Sequence, residues 1–184
     1  ISGKKGTHLP RLIGHEGVGI VQRIGDGVKT VGVGDKIILH WRPGSGIESD
    51  FPTWSHHLNY FTSGLVTTFL EETVVSENRC TRVPEHASND LCVLLGCGLS
   101  TALGVIEHDA KLKFGESVLV VGFGGVGTCL VSAAKARGAG AIAVFDTADK
   151  SNLAFELGAT SYWRTSIWHI PFDVIIDTTG SSEM

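Results

Sequence analysis

The chain has 184 residues, enough for one substantial core or two small domains, and its 42% hydrophobic and 18% charged content is that of an ordinary soluble globular protein. Lys+Arg 15 against Asp+Glu 19 leaves a net charge of −4 with no basic run, so neither a nucleic acid nor an anionic membrane has electrostatic support as a partner. No apolar run approaches the roughly 18 residues that span a bilayer, no signal peptide opens the chain, and the first residue is Ile1 rather than methionine.

Before about residue 90, short alternating or β-branched runs (Gly19–Ile24, Lys36–Leu39, Glu72–Val75) are separated by Gly- and Pro-rich turns, the pattern of an all-β unit. The stretch from Trp41 to Val66 is irregular, and a loop of that length is usually functional or mobile. Its adjacent His56 and His57 point to opposite faces of an extended chain and read as solvated loop residues rather than a metal pair. A helix over Asn89–Glu107, capped by Ser88 or Asn89, joins this unit to a second pattern. There, strands Val118–Val121, Ala141–Phe145 and Asp173–Asp177 alternate with helices Val126–Arg137 and Lys150–Leu157, which implies a parallel sheet with crossovers. The expected domains are 1–98 and 99–184. The span from Ala159 to Pro171 is short for a strand plus a crossover helix.

One segment carries chemistry. After the apolar run Val118–Val121 comes Gly122-Phe123-Gly124-Gly125-Val126-Gly127, opening a helix, and Asp146 closes the next strand. Strand, glycine turn and helix N-terminus in that order hold a dinucleotide pyrophosphate. Gly122 permits the turn, Gly124 lets the backbone approach the phosphates, and Gly127 lets helix and strand pack closely. A carboxylate at Asp146 accepts both ribose hydroxyls and repels a 2′-phosphate, so NAD is favoured over NADP.

Two further runs suggest a metal. Gly14-His15-Glu16-Gly17 frames an imidazole and a carboxylate with glycines, and Gly96-Cys97-Gly98 frames a thiol. Such donors suit tetrahedral Zn²⁺ with one open position. The remaining cysteines, Cys80, Cys92 and Cys129, form no CxxC and read as small core residues, consistent with a reducing cytoplasm.

These motifs together resemble the zinc-dependent medium-chain alcohol dehydrogenase family. GHEGVG at 14–19, VGVGDKI at 31–37, LLGCGLSTALG at 94–104 and GFGGVG at 122–127 occur in the family's order, and Asp146, ELGAT at 156–160 and DTTG at 177–180 continue the match. The resemblance implies an α/β plus β architecture: a GroES-like β-rich catalytic domain followed by a Rossmann NAD-binding domain. It implies His15 and Cys97 as ligands of one catalytic zinc, with Glu16 beside them as an alternative ligand. It also implies Thr101 near the nicotinamide, Trp41 on the substrate wall, and Lys150 near the ribose. Gly125 and Val126 fall in the phosphate turn. The implied activity is reversible, zinc-assisted hydride transfer between a small alcohol or polyol and NAD, by a homodimer or homotetramer.

Departures are equally specific. The family's third zinc-ligand cysteine and its proton relay would lie upstream of Ile1. No cysteine occurs between Gly34 and Arg79, so no structural zinc is expected. The chain stops after what should be the fourth strand of a six-stranded sheet, and so reads as a partial representative. The alternatives are a zinc-free quinone-type reductase on the same fold and a non-catalytic dinucleotide-binding module. His40, His108, Asp109, Trp163, Trp168, Asp173 and Asp177 are read as packing or turn residues first.

Overall fold

The computed structural model describes residues 11–57, 59–165 and 169–181, and the chain divides into two compact units, Ile1–Cys97 and Gly98–Met184. The first unit is built on an antiparallel sheet of β1 (Gly17–Ile20), β2 (Lys36–Leu39) and β5 (Cys80–Arg82), in the order β1-β2-β5. Between β2 and β5 the chain folds a hairpin of β3 (Trp54–His56) and β4 (Asn59–Phe61). As the central strand β2 buries Ile37, Ile38 and Leu39, which explains its unbroken aliphatic run. Val21, Ile37, Leu39 and Val66 form the core of this unit, with Val31, Val75 and Cys80 packed on it.

A 3₁₀ turn at Glu77–Arg79 precedes β5, and Ser76 to Arg79 are all buried although each is polar or charged. Partners account for most of this, although Asn78 Oδ1 and Arg79 Nε have none among the described residues. The Glu77 carboxylate accepts the backbone N–H groups of Lys29 (2.6 Å), Thr30 (2.6 Å) and Ile47 (2.8 Å). Arg79 pairs with Glu48 at 2.6 Å and donates to the Trp41 carbonyl. The irregular loop after β2 is thus tied down by the Glu77 carboxylate, which accepts the Ile47 N–H, and by one buried guanidinium. Helix α1 (Asn89–Leu95) then packs on β1 and β2.

The second unit begins with α2 (Gly98–Gly104), which continues as a wider π turn at Val105–Asp109. There follow β6 (Ser117–Val121), α3 (Gly125–Arg137), β7 (Ala141–Phe145), α4 (Ser151–Leu157), β8 (Ser161–Trp163) and β9 (Val174–Asp177). The four strands are parallel in the order β8-β7-β6-β9. Val118, Leu119 and Val120 of β6 are at most 2% exposed, as a central strand covered on both faces must be. On one face they meet Ala102, Ile106, Leu130, Val131 and Ala134, and on the other Phe145, Trp163 and Phe172 join the packing. Each such buried aliphatic side chain contributes about 1.5–3 kcal/mol.

Several expectations shift. Strand β1 covers Gly17–Ile20 instead of Gly19–Ile24; only Val21 prolongs the pairing, through its N–H to Asp35. Among the described residues Glu72–Val75 has no ladder partner, and its Val75 is packed as a loop residue. The expected helix Asn89–Glu107 is interrupted at Gly96-Cys97. The span from Ala159 to Pro171 does contain a strand, β8, but among the described residues no helix connects it to β9. Trp168 lies outside the described residues. Among the described residues no single helix is long and apolar enough to cross a membrane.

Candidate functional site

In the second unit, β6 delivers the chain to Gly122, whose φ of +88° is left-handed and whose Cα side is filled: a Cβ would stand 2.7 Å from Thr178 Oγ1. The turn is pinned by Gly122 N–H to Phe145 (2.8 Å), Thr178 N–H to Val121 (2.8 Å) and Thr178 Oγ1 to the Gly122 carbonyl (3.0 Å). A Cβ on Gly127 would overlap the Gly122 carbonyl oxygen, so the first turn of α3 rides directly on the glycine turn.

Gly124 and Gly125 are different. A Cβ on either would meet nothing within 4 Å, and Gly124 has a φ of −85° that any residue adopts. The protein's own packing therefore does not require glycine there; the backbone borders open space. Gly124 is also the N-cap of the 13-residue α3 and makes no side-chain capping bond. The first N–H groups of α3 and its positive dipole end face that space without a side-chain acceptor. Val126, beside them, is 37% exposed. This open, uncapped helix start forms a cradle with the geometry to accept an anionic group.

Asp146 ends β7 next to the cradle. Its Oδ2 accepts the Phe123 N–H at 2.6 Å and its Oδ1 the Ala148 N–H at 2.8 Å. Lys150 Nζ lies 3.5 Å from Oδ2 and donates to the Phe123 carbonyl at 2.8 Å. Partial burial works to raise the Asp146 pKa, but the N–H groups of Ala148 and Phe123 and the Lys150 ammonium outweigh it and hold the carboxyl below its ordinary value. Asp146 is thus an anion whose Oδ1 retains acceptor capacity beyond its one bond from Ala148. The turn from Asp146 to Lys150 is closed from β8, where the Tyr162 hydroxyl donates to Ala148 O (2.6 Å) and accepts the Lys150 N–H (3.3 Å). Burial pushes the Tyr162 phenol up, so it stays protonated and able to donate.

In the first unit, Gly14 (φ +95°) turns the chain against Thr68 and Phe69. A Cβ on it would stand 2.5 Å from Thr68 Oγ1, and the Phe69 N–H holds the Ile13 carbonyl at 3.1 Å. His15, exposed, and Glu16, half-buried, follow in the bend leading into β1. Gly17 pairs with Leu39, and the Leu39 carbonyl is in turn covered by Gly96, immediately before the half-buried Cys97. The end of β2 therefore anchors both the His15-Glu16 bend and the Cys97 break. Among the described residues, however, no three His, Cys, Asp or Glu side chains converge on a point that could hold a metal. His15, Glu16 and Cys97 are not assembled as a donor set among the described residues.

Other residues take the plainer roles. His40 uses both ring nitrogens, with Arg42 O at 2.6 Å and Thr81 Oγ1 at 2.9 Å. Asp173 accepts from Ser117, and Asp177 from the N–H and hydroxyl of Thr179. His56 and His57 are exposed, with ring centroids 4.3 Å apart. Trp41 is 51% exposed, and Thr101 is exposed on α2. The residues that the sequence did not single out are Thr178 and Tyr162. DTTG at 177–180 was a signal for Thr178; Tyr162, in a three-residue strand, left none.

The family profile described as alcohol dehydrogenase GroES-like domain matches residues 1–85. An S-(hydroxymethyl)glutathione dehydrogenase of Synechocystis sp. is 31% identical over 202 aligned positions, covering 94% of this chain and 54% of that protein. Among solved structures, an alcohol dehydrogenase zinc-binding domain protein from Burkholderia ambifaria has a TM-score of 0.83 at 25% identity, covering 96% of this chain and 58% of its own. Benzyl alcohol dehydrogenase from Acinetobacter calcoaceticus has a TM-score of 0.79 at 25% identity, covering 96% of this chain and 57% of its own. The chain spans about half the length of the curated relatives it matches.

Proposed function

We propose that this chain, whose residues 1–85 match the alcohol dehydrogenase GroES-like domain, is part of a zinc-dependent medium-chain alcohol dehydrogenase and serves NAD-linked interconversion of an alcohol and its aldehyde or ketone. The observation that carries the reading is the open space beside Gly124 and Gly125 at an uncapped helix N-terminus, with an ionised Asp146 next to it. The N–H groups of Gly125, Val126 and Gly127 would hold the pyrophosphate, and Asp146 the ribose hydroxyls, with Lys150 fixing the carboxylate. A bound nicotinamide would supply the hydride acceptor for an alcohol carbon, whose hydroxyl proton would be released to solvent, and the hydride donor for the reverse reaction. Thr101 is proposed to border the nicotinamide and Trp41 the substrate. The relatives named for S-(hydroxymethyl)glutathione and benzyl alcohol support a carbinol as the reacting group.

The test is Gly124→Ala. Among the described residues nothing occupies the space its methyl enters, so thermal stability should hold while the methyl intrudes on the phosphates and NAD affinity falls by ~tenfold or more. Unchanged NAD affinity in a folded variant sinks the reading.

A zinc at His15, Glu16 and Cys97 rests on the order of the motifs and the common anchor at Leu39, not on an assembled donor set. About one zinc per chain on metal analysis supports it. Turnover by metal-free protein favours a zinc-free quinone-type reductase, and NAD binding without turnover of any alcohol favours a non-catalytic module.

A further inference from the structure

Tyr162 joins three things that the proposed cofactor needs and that are distant in sequence. In β8 it pairs in register with Val144 of β7. Its ring stands edge-on to Phe123 of the glycine turn, with centroids 6.2 Å apart and planes at 85°, and Phe123 is 1% exposed. Its hydroxyl spans the short turn after Asp146, donating to Ala148 O and accepting from the Lys150 N–H. Arg164, just past β8, adds a bond from Nε to Thr147 O at 3.3 Å. The contacts close a ring: Tyr162 touches Phe123, the Phe123 N–H binds Asp146, Asp146 receives the Ala148 N–H, and Ala148 O returns to Tyr162.

We propose that Tyr162 is a positioning residue for the adenosine half of the dinucleotide, its hydroxyl holding the 146–150 turn so that Asp146 is set to receive the ribose. The proposal rests on the NAD reading above. It follows from where the bonds lie. Ala148 O and Lys150 N–H are at the surface, so losing the hydroxyl hands them to water at little cost to folding. What is lost is the preorganisation of a turn that otherwise must be ordered on binding.

Tyr162→Phe keeps the ring against Phe123 and removes only the hydroxyl. Binding to the full chain is measured for NAD, ADP-ribose and nicotinamide mononucleotide, with hydrogen exchange at the Lys150 amide. The expected result is an equal rise in Kd for NAD and ADP-ribose, about three- to tenfold, with nicotinamide mononucleotide unchanged and the Lys150 amide exchanging faster. In an Asp146→Ala background the same substitution should change the ADP-ribose Kd by less than about twofold, because Tyr162 acts through Asp146. An unchanged ADP-ribose Kd in Tyr162→Phe, or a full effect persisting without Asp146, overturns the proposal while leaving the NAD reading intact. If the wild-type chain binds neither NAD nor ADP-ribose, the NAD reading falls, and the role of Tyr162 falls with it.

Discussion

The Leu39 carbonyl oxygen occupies the place where a side chain on Gly96 would begin. Gly96 sits in the right-handed helical region, so glycine is required there by contact and not by backbone twist. Gly96→Ala must push α1 off the end of β2, and we expect a loss of about 1–3 kcal/mol in chemical denaturation. Gly104, also helical but with nothing within 4 Å of its Cβ position, is the control. Gly104→Ala should be neutral or stabilising by ~0.5–1 kcal/mol, and equal effects at the two sites would refute the steric account.

Asp146 should decide between the two dinucleotides. Asp146→Ala removes the ribose acceptor and the charge that repels a 2′-phosphate. NAD affinity is expected to fall about tenfold, with NADP affinity falling less or rising. Fluorescence titration with both cofactors, beside a melting curve to separate loss of the Phe123 bond, reads the difference. A parallel loss for both cofactors would show that Asp146 serves only the turn.

Glu77 makes a pH prediction. Its hydrogen bonds from Lys29, Ile47 and Thr30 lower its pKa from 4.5 to about 2. Because the folded value lies below the ordinary one, its contribution is complete above about pH 4.5 and is lost as the pH falls from there towards 2. Glu77→Gln should therefore melt lower than wild type at pH 7, with the gap narrowing across that acid window. A gap independent of pH would mean that the carboxylate charge is not what holds the loops.

The thiols should separate chemically. Burial, with the Glu77 carboxylate nearby, pushes Cys80 up to about 11, so almost no thiolate exists near neutrality. Iodoacetamide labelling of the native chain at pH 7.5, mapped by mass spectrometry, should leave Cys80 unmodified until denaturant is added. Early labelling of Cys80 would contradict its placement under the loop.

What was legible in the sequence follows burial. Strands β2, β6 and β7 are covered on both faces, so they had to be written as continuous aliphatic runs, and β2 and β7 end where those runs end. The glycine turn was legible because three of its glycines have separate jobs. Strand β1 begins two residues and ends four residues earlier than expected because its register is set by Leu39 opposite Gly17, a long-range fact. Glu72–Val75 has the right residue types but, among the described residues, no neighbour to pair with. The need for glycine at Gly96, beside the break, was hidden because the Leu39 carbonyl that demands it lies on another element. Tyr162 was invisible for the same reason: its partners Ala148 and Phe123 become neighbours only once β8 lies beside β7.

The glycine turn gains its two flanks from very different distances along the chain. The bond from Phe123 to Asp146 closes 23 positions, while that from Thr178 to Gly122 closes 56. The longer closure costs little extra entropy at equilibrium, since that cost grows only with the logarithm of loop length. In time it matters more, because distant pairings form late. We expect refolding molecules to complete the Asp146 side first and to remain poor NAD binders until β9 docks, so that recovery of cofactor affinity lags recovery of strand signal. Competence to bind would then report on the arrival of the last strand.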